Sequence, residues 1–256
     1  MTNFKDVFSK KAFIGFITAG DPNIECTIKF VDKMIEAGVS LIEIGIPFSD
    51  PIAEGSVISK ADVRALKSGT TTDKIFDMMA VIRKKHPDFP FVFMTYLNPV
   101  FSYGYDNFFK KSKQLGMLGI IIPDMPFEES AEAKKVAKKY DQKVISLIAP
   151  TSENRIKKIA ENAEGFIYLV SSLGVTGVRS EFNKNLENIV KEIKKYTDIP
   201  VAIGFGISNP EAVKNMCKIS DGAIVGSAIV RIVEEHLEDA SEYIYDFCKS
   251  MVEATN

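Results

Sequence analysis

Cysteine is scarce in this chain of 256 residues: three occur, at Cys26, Cys217 and Cys248. They are scattered, odd in number and free of CxxC spacing. That pattern argues against a disulfide framework and fits free thiols in a reducing cytosol. Histidine is scarcer still, with only His86 and His236. Without His clusters or Cys ligands, no catalytic zinc or iron is expected. Charge of one sign is also missing: 32 basic residues face 34 acidic ones, for a net charge of −2. This gives no reason to expect nucleic acid or an anionic membrane as partner. The lysine runs (Lys134, Lys135, Lys138 and Lys139; Lys191, Lys194 and Lys195) lie at helical spacing and read as solvated faces. No apolar run approaches the roughly twenty residues of a membrane span. The N-terminus, MTNFKDVFSKK, lacks the apolar core of a signal peptide, so a cytoplasmic location is expected. No low-complexity linker divides the chain, and one domain over residues 1–256 is expected.

What is present is a repeated alternation. Strand-like runs FIGFIT (13–18), LIEIGIP (41–47), FVFMTY (91–96), LGIIIPD (118–124), KVISLIAP (143–150), GFIYLVSS (165–172), PVAIGFG (200–206) and GAIVGS (222–227) are each followed by an amphipathic segment. The helical segments fall near 24–37, 57–67 with 72–85, 100–115, 128–140, 153–163, 183–196, 210–217 and 228–237, with a closing helix near 239–252. Eight strand–helix units over this length predict a single-domain α/β (β/α)8 barrel, the TIM barrel, with extra helices at the N- and C-terminal ends. A doubly wound open sheet is the competing architecture.

The second run carries an anomaly. Strand side chains alternate faces, so Ile42, Ile44 and Ile46 share one side and Leu41, Glu43 and Gly45 the other. A carboxylate amid isoleucines is expensive to bury and needs a task or a partner, unless this is an edge strand with Glu43 in water. The loop that follows, broken by Pro47 and Pro51, brings two more carboxylates, Asp50 and Glu54.

In such barrels the reacting groups sit at the C-terminal strand ends and in the loops beyond them. Neither lysine nor histidine stands at any of these exits, so a Schiff-base mechanism has no nucleophile there. What remains is carboxylates (Asp21, Glu43, Asp50, Glu54, Asp124), tyrosines (Tyr96, Tyr168) and hydroxyls, so proton transfer has to be carboxylate chemistry. The last three exits, SSLGVTG, GFGIS and VGSAIV, are glycine-rich. Gly204, Gly206 and Gly226 precede helices and, with Gly177 of the sixth exit and the Ser227 hydroxyl, suit a phosphate held by backbone N–H groups and a helix dipole, although tight turns alone would also use such glycines. The sixth loop, Leu173 to Phe182, is polar, glycine-bearing and long enough to close over a ligand; an ordinary flexible loop is the alternative.

Along essentially its whole length the chain resembles the α chain of tryptophan synthase. The matching stretches are GDP (Gly20–Pro22), EIGIPFSDP (Glu43–Pro51), RAL (Arg64–Leu66), YLNPV (Tyr96–Val100), PDMPFEES (Pro123–Ser130), GVTG (Gly174–Gly177), GFGIS (Gly204–Ser208) and GSAIV (Gly226–Val230). The resemblance implies a carbon–carbon lyase of tryptophan biosynthesis that cleaves indole-3-glycerol phosphate to indole and glyceraldehyde 3-phosphate without a cofactor of its own. It further implies an α2β2 complex with a β chain, on which pyridoxal phosphate (PLP) is expected. By resemblance Glu43 is the acid–base residue, Glu54 the carboxylate for the indole N–H, and Tyr168 a tyrosine near the reacting carbons or simply a core aromatic. Phe16, Ile58, Met94 and Phe205 would line the indole pocket, and Thr176 would hold the second carboxylate when the sixth loop closes. Pro47, Asp50, Asn98 and Pro99 match positions used against the β chain.

One departure stands out. The family usually has aspartate where this chain has Glu54, and proline and glutamine where it has Ser56 and Ser59. Glutamate keeps the charge but adds a methylene, and reach matters near the ångström level. Either the second loop shifts to compensate or the isolated chain is slow; an allosteric subunit that activates the β chain with little catalysis of its own is the alternative from another class.

Overall fold

The computed structural model describes residues 3–150, 155–171, 179–204 and 206–255, the side chains of residues 179–184 excepted. Eight parallel strands close into a barrel in chain order: β1 (Ala12–Thr18), β2 (Leu41–Gly45), β3 (Phe91–Met94), β4 (Gly119–Ile121), β5 (Lys143–Ile148), β6 (Ile167–Val170), β7 (Val201–Gly204) and β8 (Gly222–Val225). β1 pairs with both β2 and β8, so the sheet has no edge. That closure rules out the open doubly wound sheet.

The short α1 (Phe4–Val7) precedes β1, started by an Asn3–Asp6 capping box in which each side chain accepts a backbone N–H of the other. Around the barrel run α2 (Ile24–Glu36), α3 (Ser56–Lys67), α4 (Thr72–Lys85), α5 (Leu97–Tyr103), α6 (Tyr105–Gln114), α7 (Ala131–Lys139), α8 (Ile156–Glu161), α9 (Arg179–Ile193), α10 (Pro210–Ile219), α11 (Ser227–His236) and α12 (Ser241–Glu253). Asn23, Thr71 and Asn209 each accept an N–H of the following helix, which fixes where α2, α4 and α10 begin. The single helix expected over 100–115 is broken at Gly104, whose φ of 85° no helix accommodates. α9 starts at Arg179, inside the stretch expected to be loop.

Strand alternation builds two apolar layers. The inner layer joins Ala12, Ile14, Leu41, Val92, Ile121, Ile145, Tyr168, Ala202 and Ile224 through the barrel. Phe4 and Phe8 pack on Phe166 at ring-centroid distances of 5.9 and 5.6 Å, so α1 plugs the N-terminal mouth. The outer layer packs Ile42, Ile44, Ile46, Phe93, Ile120, Leu169 and Ile203 against the helices. With one mouth stoppered, access to the interior is from the C-terminal strand ends.

Candidate active site

Glu43 lies on the inner face of β2. Its partners in register are Phe16 on β1 and Val92 on β3, so it sits mid-sheet and the edge-strand alternative is excluded. Leu41, of the same parity, packs in the inner layer, whereas Ile42 and Ile44 face the helices. The residue is 1% exposed and neither carboxylate oxygen has a hydrogen-bond partner. Burial alone pushes its pKa up to about 8. At neutral pH it therefore keeps its proton, as a general acid must.

Three residues account for the buried, unpartnered side-chain polar atoms among those described: Thr18 Oγ1, both Glu43 oxygens and Glu54 Oε2. All three stand at the C-terminal end of β1, on β2, or in the loop after β2. Each orphan costs about 1–3 kcal/mol of desolvation, so their gathering at one place marks a site built for a ligand's polar groups. Thr18 shares the parity of Phe16 and escaped the sequence reading, where its only signal was its place at a strand exit.

The loop after β2 delivers one carboxylate rather than two. Asp50 points to solvent and accepts from the Ser49 hydroxyl, whereas Glu54 is partly buried. The second acid beside Glu54 is Asp62, from α3. Asp62 is 5% exposed and its carboxyl lies beside that of Glu54. Sequence reasoning missed it, although it falls four residues after Ile58 and three before Ala65 on the buried stripe of α3. Tyr96 fixes this loop from the other side: its hydroxyl accepts the Ala53 N–H at 2.9 Å, and its ring lies 5.3 Å from that of Phe48.

The other acids at strand exits are structural. Asp21 accepts both Nε and a terminal nitrogen of Arg64 at 2.8 Å each. Asp124 accepts the Leu97 N–H at 2.8 Å and starts α5. His86 pairs with Asp32 at 2.8 Å and His236 stacks on Tyr243, both away from the strand exits.

Phe16, Ile58 and Met94 meet in one apolar cluster with Val57, Ala61 and Val230. Tyr168 is 8% exposed on β6, and burial, with the negative charge of Glu43 adding to it, raises its phenol well above the ordinary value. The phenol thus stays protonated and able to donate. Met94 and Tyr168 also line a cavity of about 550 Å³ bordering β3 to β6, together with Ala53, Asp124, Val170 and Ser171. Neither Glu43 nor Glu54 lines it, although Ala53, the neighbour of Glu54 in sequence, does.

At the opposite side, Gly226 caps α11 with no side chain on its N-terminal N–H groups, and Ser227 opens its first turn. Gly206 has φ +74° in the β7–α10 connection. At α10 the corresponding N–H is taken by Asn209, so α11 presents the freer helix end. Thr176, Gly177 and Phe205 lie outside the described residues.

The family model described as "Tryptophan synthase alpha chain" matches residues 4–256. The chain belongs to the tryptophan synthase alpha chain family. It is a lyase that cleaves indole-3-glycerol phosphate to indole and glyceraldehyde 3-phosphate in tryptophan biosynthesis, and it works with a β chain. The tryptophan synthase alpha chain of Lacticaseibacillus casei is 48% identical over 252 residues, covering 98% of this chain and 94% of that relative. That of Methanocaldococcus jannaschii is 46% identical over 231 residues, covering 90% and 82%. Among solved structures, the Campylobacter jejuni tryptophan synthase subunit alpha superposes with a TM-score of 0.89 at 35% identity, covering 98% of this chain and 99% of that one. A chain of the Pyrococcus furiosus tryptophan synthase complex gives 0.86 at 33% identity, covering 95% and 98%.

Proposed function

We propose that Glu43 carries both proton transfers of the cleavage, with Glu54 as the carboxylate that accepts the indole N–H. The observation that carries this reading is the burial of Glu43 inside the barrel with both oxygens unpartnered. Protonated Glu43 gives its proton to indole C3, and the ring becomes an indolenine whose positive charge spreads to the N–H. Glu54, holding a buried free oxygen, stabilises that charge. The Glu43 carboxylate then takes the proton of the glycerol hydroxyl next to the bond. The O–H pair forms the carbonyl of glyceraldehyde 3-phosphate, the carbon–carbon bond breaks, and its pair restores the aromatic indole. Glu43 ends protonated, as it began, so the cycle needs no outside proton donor.

Phe16, Ile58 and Met94 supply the apolar slot for the indole ring, and Tyr168, on the inner layer at β6, offers a neutral phenol that can donate to the reacting hydroxyl. The phosphate rests at the start of α11, against Gly226 and Ser227, with Gly206 in the neighbouring β7–α10 connection. This chain needs no cofactor; pyridoxal phosphate belongs to the β chain of an α2β2 complex in the cytoplasm. No helix among the described residues is long and apolar enough to cross a membrane. Docking of the β chain onto the barrel's C-terminal face is supported by Ile52 and Phe101, 81% and 64% exposed near Asp50, Asn98 and Pro99.

The test is indole release by wild type and by Glu43→Gln, each with and without a β chain. The variant is expected to lose about 10³-fold in rate while still stimulating the β chain. Retained indole release by the variant overturns the role of Glu43. Stimulation by a wild type that makes no indole under any condition would favour the allosteric reading.

A further inference from the structure

The added methylene of Glu54 raises the question of what keeps a longer carboxylate in place. An acid from a different element, Asp62 of α3, is buried to 5% exposure beside the Glu54 carboxyl, and Glu54 Oε2 is buried and unbonded. Two carboxyls buried side by side do not both ionise, so they hold a proton between them. We propose that Asp62 is a positioning residue for the cleavage reaction, holding one proton and donating it to Glu54 so that the free oxygen of Glu54 is presented to the indole N–H. This rests on the role given to Glu54 above.

The surroundings favour the proton on Asp62. Burial pushes its pKa up to about 8, with the charge of Glu54 adding to it, while the backbone N–H of Phe48 pulls the other way. Glu54 is itself raised by burial, and the hydrogen bond from Asp62 lowers it again. Asp21, from the β1 exit, adds a further negative charge facing Asp62. Tyr96, at the start of α5, feels both carboxyls and stays neutral, its phenol pushed up to about 12 chiefly by burial. Among the described residues the nearby cations are engaged elsewhere: Arg64, two residues along α3, is held by Asp21 at 2.8 Å and reaches Glu234 of α11 at 3.7 Å. Lys60 is drawn to Glu234 at 3.4 Å. The pair therefore carries one negative charge at neutral pH. When Asp62 ionises, two adjacent carboxylates repel and Glu54 loses its tether.

The experiment is the pH profile of kcat for indole formation in wild type, Asp62→Asn, Asp62→Ala and Glu54→Gln, each with the β chain present and each checked by thermal melting. Asparagine still donates to Glu54 but has no proton to lose; alanine does neither. Wild type is expected to fall with two protons on the alkaline side, from Glu43 and Asp62, and Asp62→Asn with one, at a kcat near wild type. Asp62→Ala is expected to lose about 10-fold in kcat through misplacement of Glu54. If Asp62→Ala does not fold, the slope difference between wild type and Asp62→Asn decides. Wild-type kcat in Asp62→Ala, or a one-proton fall in wild type, overturns the proposal. If Glu54→Gln also keeps wild-type kcat, the role of Glu54 fails as well; if Glu54→Gln is impaired, only the role of Asp62 falls.

Discussion

The Tyr168 hydroxyl lies over Gly204: a Cβ built on that glycine would stand 2.4 Å from the phenolic oxygen and 2.6 Å from the carbon that bears it. β7 thus gives up a side chain so that the tyrosine of β6 can lie across it. Gly45 does the same for Phe16, whose ring edge would meet a Cβ at 2.6 Å. Both glycines sit at the ends of barrel strands, and each clears the space for a residue of the proposed pocket.

Gly204→Ala is therefore expected to destabilise the protein by about 1–3 kcal/mol through overpacking and to lower kcat by moving the Tyr168 ring. Tyr168→Phe will not relieve the clash, because the ring carbons remain at 2.6 and 2.7 Å. Melting of Gly204→Ala, Tyr168→Ala and the double variant checks this. The double is expected to lose less than the sum of the singles; simple additivity would show that the two residues do not press on each other.

Glu43→Gln is expected to cost activity and add stability. In the folded protein Glu43 keeps its proton up to about pH 8, against an ordinary value of 4.5. Between those values the folded state holds more protons than the unfolded one, so stability falls as pH rises through that window and levels off above it. By pH 7 the loss is on the order of 3 kcal/mol, all of it absent from the glutamine variant. Denaturant melts of both proteins from pH 4.5 to 9 should start together and diverge in favour of the variant. Parallel curves would mean that Glu43 is ionised or solvated in the folded state.

The barrel was legible because its signal is redundant: eight apolar runs, each with a following amphipathic segment, leave little room for another architecture. Glu43 was legible for a related reason, since one acid on an otherwise apolar strand violates its own pattern. Asp50 and Asp62 were not separable that way. Both are acids near Glu54 in sequence, and which of them turns inward depends on how the chain between Pro51 and Ser56 folds back onto Tyr96, a contact between residues 43 positions apart. Helix boundaries failed locally for similar reasons, as at Gly104, where one positive φ divides a continuous amphipathic pattern into α5 and α6.

The GDP and RAL stretches have a structural account in the Asp21–Arg64 pair. Asp21 is 1% exposed and takes both prongs of the guanidinium. Arg64→Met leaves that carboxylate buried and unpaired, and about 3–5 kcal/mol of stability should go with it. Arg64→Lys keeps the charge but not the two-pronged fit, so an intermediate loss is expected. Adding Asp21→Asn to Arg64→Met should recover much of the loss in thermal melts. No recovery would place the contribution of Arg64 in its packing rather than in the pair.

Tyr96 offers the most direct handle on the loop that carries Glu54. Its hydroxyl is the acceptor for the Ala53 N–H, one residue before the glutamate, and the ring itself is buried against Phe48. Tyr96→Phe keeps the ring and removes only the hydroxyl, so the global loss should stay near 1 kcal/mol. The local effect should be larger, because the role proposed for Glu54 depends on hydrogen-bond range and a loop displaced by about 1 Å can lower the rate by up to 100-fold. Steady-state kinetics of the variant should show kcat falling more than KM rises. Amide exchange at Ala53 should quicken while exchange in β2 stays as in wild type. Unchanged exchange at Ala53 would mean that the loop is held by its prolines alone.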